Sequence, residues 1–162
     1  LGSDLVVVAP DHASVGRARK FAKLLHAEWA VIDRRVGEDL QTAPFGITGN
    51  VQGKRAILID DIIDTGTSMT LASEALTAAG VTDIYAVAPH AVLSEQAVDK
   101  LAKSAISKTL VANTIEVPDD KRFDKLVQLS VAATFAEAIR RVDACESIED
   151  IMRSPDNLDV KL

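Results

Sequence analysis

The sequence predicts an α/β domain of three layers, a mainly parallel sheet flanked by helices. Two observations predict it. Short apolar runs alternate along the chain with amphipathic helical patterns, the order that builds such layers. The runs themselves, DLVVVA (4–9) and AILI (56–59) above all, are close to continuously apolar, as strands covered on both faces must be.

Residues 4–9 form the first strand, ending in Pro10-Asp11-His12. Ser14 stands at the start of a helix with Val15, Ala18, Phe21, Ala22 and Leu25 on one face. WAVID (29–33) gives the second strand, followed by Arg34-Arg35 and a polar stretch to Thr48. GNVQGK (49–54) is a turn into the central strand; its Gly-Lys pair lacks the spacing and the Ser/Thr of a P-loop. After the central strand, Met69, Leu71, Ala72, Ala75, Leu76 and Ala79 mark a helix that Gly80 stops. DIYAVAPH (83–90) is the next buried strand, and a helix over 94–103 turns Ala97, Val98, Leu101 and Ala102 inward, with Ser94 either its cap or a site residue. TLVANTI (109–115) and VQLSV (127–131) are further strands. A helix over 132–143 buries Ala133, Ala136, Ala138 and Ile139 and exposes Glu137, Arg140 and Arg141. The charged run Asp119 to Arg122 reads as a solvated loop.

At 162 residues the chain is one domain by length, and 48% hydrophobic residues suffice for a sizeable core. Net charge is −6 and the 18 Lys and Arg are scattered, so no basic face suits nucleic acid. The longest apolar runs fall far below the ~18 residues a membrane helix needs. Cys145 is the only cysteine, which excludes an internal disulfide and fits a reducing, cytoplasmic setting; it reads as a half-buried residue of the terminal helix. The chain begins without Met, and Leu5 already lies in a strand pattern, which leaves two readings: a fragment of a longer protein, or a chain that has lost an upstream domain.

The chemistry concentrates in AILIDDIIDTGTS (56–68). A buried strand meets two adjacent carboxylates, Asp60 and Asp61. Two apolar residues later comes the polar turn Asp64-Thr65-Gly66-Thr67-Ser68, and then a helix begins. Backbone N–H groups, hydroxyls and the helix N-terminus make an anion cradle, and Gly66 permits close approach and a positive φ. A bare phosphate cradle does not want three carboxylates around it. Asp60 and Asp61 make sense facing sugar hydroxyls or a hydrated Mg2+ while a phosphate sits further down the loop. That combination describes a ribose 5-phosphate. The plainer alternative is an acidic turn capping a helix, with Asp64 or Thr65 near the cap. Asp11, at another strand's carboxyl end, is either a site residue or a turn aspartate. His12 reads as a solvated loop histidine or a phosphate contact, and Arg17, on a helix, as a surface ion pair unless a family likeness draws it into the site.

Five segments together resemble one family, in its order: VVVAPDHASVGRARKFA (6–22), VIDRR (31–35), GNVQGKRAILIDDIIDTGTS (49–68), VAPHAVLS (87–94) and LVQLSVAATFAEAIRRV (126–142). The chain resembles the C-terminal half of ribose-phosphate pyrophosphokinase (PRPP synthetase), which has the type I phosphoribosyltransferase fold, over residues 3–150. The resemblance implies Mg2+-dependent transfer of a diphosphoryl group from ATP to ribose 5-phosphate, giving PRPP, in a homo-oligomer. It implies a phosphoribosyltransferase-like domain over 1–146, a C-terminal tail over 147–162, and an N-terminal half absent from this sequence. Ribose 5-phosphate would lie on Asp60, Asp61, Asp64, Thr65, Gly66, Thr67 and Ser68. Asp11 would stand near the metal, and Arg34 and Arg35 would supply catalytic charge from a loop.

This chain departs from the family pattern in that loop. Arg34 stands where Lys is expected, Val36 replaces an Arg, and Glu38 and Asp39 replace Pro and basic residues. Ala13-Ser14 replaces a Gly-Gly pair. Two other functions therefore stand beside synthesis: a non-catalytic relative with a binding or regulatory role, and a phosphoribosyltransferase that uses PRPP.

Overall fold

A computed structural model describes residues 4–33, 46–149 and 151. The chain divides into two compact units, Leu1–Gln128 and Leu129–Leu162. The elements, in chain order, are β1 (Leu5–Ala9), α1 (Val15–Leu25), β2 (Glu28–Asp33), β3 (Gly46–Thr48), β4 (Arg55–Ile59), β5 (Ile62–Ile63), α2 (Thr67–Ala78), β6 (Asp83–Ala88), β7 (His90–Ala91), α3 (Ala97–Lys103), β8 (Lys108–Ala112), β9 (Leu126–Leu129) and α4 (Ala132–Asp143).

The main sheet has seven strands in the order β3-β2-β1-β4-β6-β8-β9. β1 pairs in parallel with β2 on one side and β4 on the other, and the pairs β4–β6 and β6–β8 are parallel too. Only β3 runs antiparallel among the pairs described, against β2. The chain thus fills the sheet outward from β1 in one direction, then resumes at β4 and fills it in the other. β1 and β4 flank the point of reversal, where open α/β sheets leave a crevice at the strands' carboxyl ends.

The apolar strands are buried on both faces, as their composition requires. All five residues of β1 are buried. Successive side chains point to opposite faces. Val7 and Ala9 pack with Ala18 and Ala22 of α1. Val6 and Val8 belong to the larger core with Met69, Ala72 and Leu76 of α2 and Ala97 and Leu101 of α3. Burying an aliphatic side chain such as Leu76 or Leu101 contributes about 1.5–3 kcal/mol, so these contacts hold the start of α2 against the sheet. Gly49, at φ +123°, turns the chain out of β3; a Cβ there would stand 2.6 Å from the Ala30 Cβ.

Several expectations change in detail. Ile62-Ile63 is a second small strand, paired in parallel with β7, where the sequence suggested only a passage into a turn. α3 starts at Ala97 rather than residue 94. α4 spans the expected residues but buries none of them. Ala133, Ala136 and Ile139 are exposed, Ala138 is half-buried, and Glu137 and Arg141 are less exposed than expected. The reason is that an apolar stripe buries only where another element lies on it. Among the described residues of its own unit, none does. Cys145 lies beyond the end of α4, exposed rather than half-buried. No helix among the described residues is long and apolar enough to cross a membrane.

Candidate functional site

The loops that follow β1 and β4 meet over the reversal point. Asp60, just past β4, is the centre of that meeting. Its Oδ1 accepts hydrogen bonds from the Ser14 hydroxyl at 2.9 Å, from Arg17 Nη1 at 2.9 Å and from the Asp61 backbone N–H at 2.9 Å. Arg17 also reaches Asp61, with Nη2 2.8 Å from Oδ2. One planar guanidinium therefore spans both carboxylates, the geometry its fork is built for. Asp60 is 16% exposed and Asp61 58%. Burial pushes the Asp60 carboxyl above its usual range; hydrogen bonds from Ser14 and the Asp61 N–H oppose this, and the charges of Asp61 and Asp11 add to it.

Ser14 occupies the N-cap position of α1, yet its hydroxyl makes no cap bond. The cap contact is supplied by Asp11, whose Oδ1 accepts the Ser14 N–H at 3.0 Å. Asp11 is thus a turn aspartate by its hydrogen bond, and close enough to Asp60 for its charge to be felt there. His12 is exposed and contacts Asp33 at 3.1 Å.

The β5–β7 pair fixes the second half of the site. Backbone bonds run from His90 to Asp61, from Val92 and Leu93 to Ile63, and from Ser94 to Asp64. They bring the Ser94 hydroxyl to 2.5 Å from Asp64 Oδ1. Of the two roles open to Ser94, a partner of the loop replaces a helix cap. His90 Nδ1 lies 2.8 Å from Thr114 Oγ1, whose hydroxyl donates to the Pro89 carbonyl. The Thr114 oxygen then accepts from His90, so the neutral imidazole carries its proton on Nδ1.

α2 begins immediately after Gly66, which takes φ +71° at the N-cap position without any side-chain cap bond. Asp64 does not cap the helix; the Thr65 hydroxyl oxygen accepts the Thr67 N–H, at 3.5 Å, so the first N–H groups are not closed off by a carboxylate. Asp60, Asp64, Thr65, Gly66, Thr67 and Ser68 all line one cleft of about 170 Å³, together with Ile62, Ile63 and Met69. Asp61 stands outside that lining. Lys100 of α3 reaches over the loop, 3.0 Å from Thr67 Oγ1 and 3.4 Å from the Thr65 carbonyl.

Arg34 and Arg35 lie outside the described residues. Among the described residues no group of three His, Cys, Asp or Glu side chains is placed to hold a metal ion. The sequence left Arg17 and Ser94 undecided, and gave Ser14 and Lys100 no role in the site. Nothing in a local pattern marks them, because each acts across at least 30 residues of chain.

The chain is similar to known proteins across most of its length. Residues 36–153 match the family model described as the phosphoribosyl synthetase-associated domain. The putative ribose-phosphate pyrophosphokinase 2 of Lactiplantibacillus plantarum is 48% identical over 90% of this chain and 46% of its own length. Ribose-phosphate pyrophosphokinase 1 of Lactococcus lactis is also 48% identical, over 87% of this chain and 44% of its own. The crystal structure of phosphoribosylpyrophosphate synthetase from Mycobacterium smegmatis superposes with a TM-score of 0.82 at 36% identity, covering 88% of this chain and 46% of that one. The chain therefore spans about half the length of the relatives it matches. Its mostly parallel sheet with helices on both faces is the type I phosphoribosyltransferase fold that the sequence leads one to expect. The chain belongs to the family of the phosphoribosyl synthetase-associated domain.

Proposed function

We propose that the chain is the ribose 5-phosphate-binding half of a ribose-phosphate pyrophosphokinase. The reaction moves a diphosphoryl group from ATP to the 1-hydroxyl of ribose 5-phosphate, releasing AMP and PRPP. The observation that carries the proposal is the convergence, at the β1–β4 reversal point, of a half-buried carboxylate pair with a glycine-started helix that no carboxylate caps. The phosphate takes the loop from Asp64 to Ser68, where backbone N–H groups and the Thr67 and Ser68 hydroxyls donate, Thr65 directing its own hydroxyl proton to Thr67 Oγ1 at 3.1 Å. Asp60 and Asp61 accept from the ribose 2- and 3-hydroxyls. Arg17 offsets their charge, so an anionic substrate is not repelled from the crevice.

Mg2+ is compatible with these residues as an ion brought largely by the substrates, since it needs only one or two protein carboxylates beside phosphate oxygens and water. Asp61, more exposed than Asp60, and Asp11 are the side chains that would meet it, and the ion would neutralise charge on the transferring group. Arg34 and Arg35 are assigned the same task from their loop. Ala13-Ser14 favours this reading more than its departure from Gly-Gly suggests: Ser14 is 2% exposed and directs its hydroxyl to Asp60. Assembly as a homo-oligomer in the cytoplasm, without nucleic acid, completes the proposal.

A second reading is a non-catalytic relative that binds the same sugar phosphate. Val36, Glu38 and Asp39 favour it, because they remove positive charge where a phosphoryl-type transition state needs it.

The test is calorimetric titration of the chain with ribose 5-phosphate, with and without Mg2+, beside an Asp64→Ala/Thr67→Ala double variant. Binding to the parent and loss in the variant are expected. A folded parent that binds no ribose 5-phosphate overturns the site. Binding without PRPP formation in the full-length protein supplied with ATP selects the second reading.

A further inference from the structure

The phosphate end of the cleft has an unbalanced charge. Asp60 and Asp61 share Arg17, whereas Asp64 has a neutral hydroxyl, Ser94, as its hydrogen-bond partner. A phosphate dianion placed on residues 64–68 would face Asp64 with no cation contributed by the loop itself, which contains no Lys or Arg. Lys100 is the cation that reaches it. It is half-buried on the second turn of α3, and its ammonium lies 3.0 Å from Thr67 Oγ1 and 3.4 Å from the Thr65 carbonyl. Among the described residues Lys100 makes no ion pair, so its charge is not already spent on a carboxylate.

From this geometry we infer that Lys100 is a phosphate-binding residue, which selects a phosphorylated sugar at the 64–68 loop. The inference rests on the ribose 5-phosphate reading of that loop. Two physical effects support it. An ammonium has three N–H donors, and two are directed at the loop, leaving a third for a phosphate oxygen. Because Lys100 and the Thr65 hydroxyl both donate to Thr67 Oγ1, that oxygen's acceptor capacity is filled and its own proton is left to donate outward. Lys100 thus adds charge directly and orients a second donor. Its position is held from elsewhere: Ala97 and Leu101 of the same helix are fully buried, and the Gly66 backbone packs against Ala97 and Leu101. The lysine and the loop therefore belong to one packed unit.

The experiment titrates the parent chain, Lys100→Gln, Lys100→Arg and Lys103→Gln with ribose 5-phosphate and with inorganic phosphate, at low and at moderate salt. Lys100→Gln keeps an N–H donor for Thr67 but removes the charge; Lys103, exposed in the last turn of α3, is the control for general charge. We expect Lys100→Gln to weaken both ligands by about 10- to 100-fold, the size of a charge-assisted contact. Its affinity should also depend less on salt. Lys100→Arg should restore most of the loss, and Lys103→Gln should change little. Lys100→Gln binding as tightly as the parent overturns the role of Lys100 while leaving the loop assignment standing. Equal losses in Lys100→Gln and Lys103→Gln overturn it as well, in favour of a general surface charge. A folded parent that binds neither ligand removes the site and this inference together. Folding of each variant is read from its thermal transition; should Lys100→Gln not fold, Lys100→Met takes its place and is read by the same outcomes, weaker binding with a flatter salt dependence supporting the role and parent-like affinity overturning it.

Discussion

The Ser14 hydroxyl donates to Asp60 Oδ1 at 2.9 Å across 46 residues of chain. That bond, with the Arg17 contact to the same oxygen, ties the loop after β1 to the loop after β4 and gives the crevice its floor.

Arg17→Met leaves two adjacent carboxylates without their shared cation. The pair is partly exposed, so the loss is put at about 1–2 kcal/mol, below the value for a fully buried pair. Arg17→Lys should recover only part of it, since a point charge cannot span both acids as a fork does. Urea unfolding of the three proteins checks this; equal stability of parent and Met variant would refute it.

Asp60 should give stability an inverse pH dependence. Burial raises its folded-state pKa above the ordinary carboxyl value of 3.8, so in the window between the two the native state binds more protons than the unfolded chain. Stability then falls as pH rises through that window, and above the folded pKa the full cost is present. The stability of the parent minus that of Asp60→Asn should accordingly decline as pH rises from about 4. A difference that grows with pH over the same range contradicts the assignment.

Glu137 behaves in the opposite way. Hydrogen bonds from Arg140 and Arg141 lower its pKa from 4.5 to about 2. A depressed carboxylate contributes stability above its unfolded pKa and loses it as pH falls through the folded one. The helical circular-dichroism signal of α4 should therefore weaken between pH 4.5 and about 2 in the parent. Glu137→Gln should show a lower, flat signal through that window.

Three glycines should rank by space as well as by φ. Gly53→Ala has φ +71° and open space, Gly66→Ala has φ +71° with Leu101 Cγ at 3.4 Å, and Gly49→Ala has φ +123° with Ala30 Cβ at 2.6 Å. A left-handed conformation costs a side chain about 1–2 kcal/mol, so Gly53→Ala should cost about that. Gly66→Ala should cost somewhat more and also weaken ribose 5-phosphate binding, and Gly49→Ala should be the most destabilising. Thermal melts of the three variants give the order directly.

Ser94→Ala removes the neutral partner of Asp64 and leaves that carboxylate's full charge beside the phosphate loop. Weaker ribose 5-phosphate binding, by about 3- to 10-fold, is expected from one lost hydrogen bond, with little change in folding. Titration at fixed salt measures it, and unchanged affinity would detach Ser94 from the site.

What the sequence determined by itself was local. Continuous apolar runs specified strands covered on both faces, the 3.6-residue pattern of Val15 to Leu25 specified α1, and Asp-Thr-Gly-Thr-Ser specified a glycine-dependent turn ahead of a helix. These signals repeat within a few residues, so the order of the chain is enough to read them. The tertiary structure decided which groups meet. Ser14 and Arg17 on Asp60, Ser94 on Asp64 and Lys100 on Thr67 join elements 30 to 46 residues apart. The two-residue pairing of β5 with β7 is too short to leave a period in the sequence. Likewise, α4 carries an amphipathic pattern, but burial depends on what lies against a face, and the pattern holds no record of that neighbour.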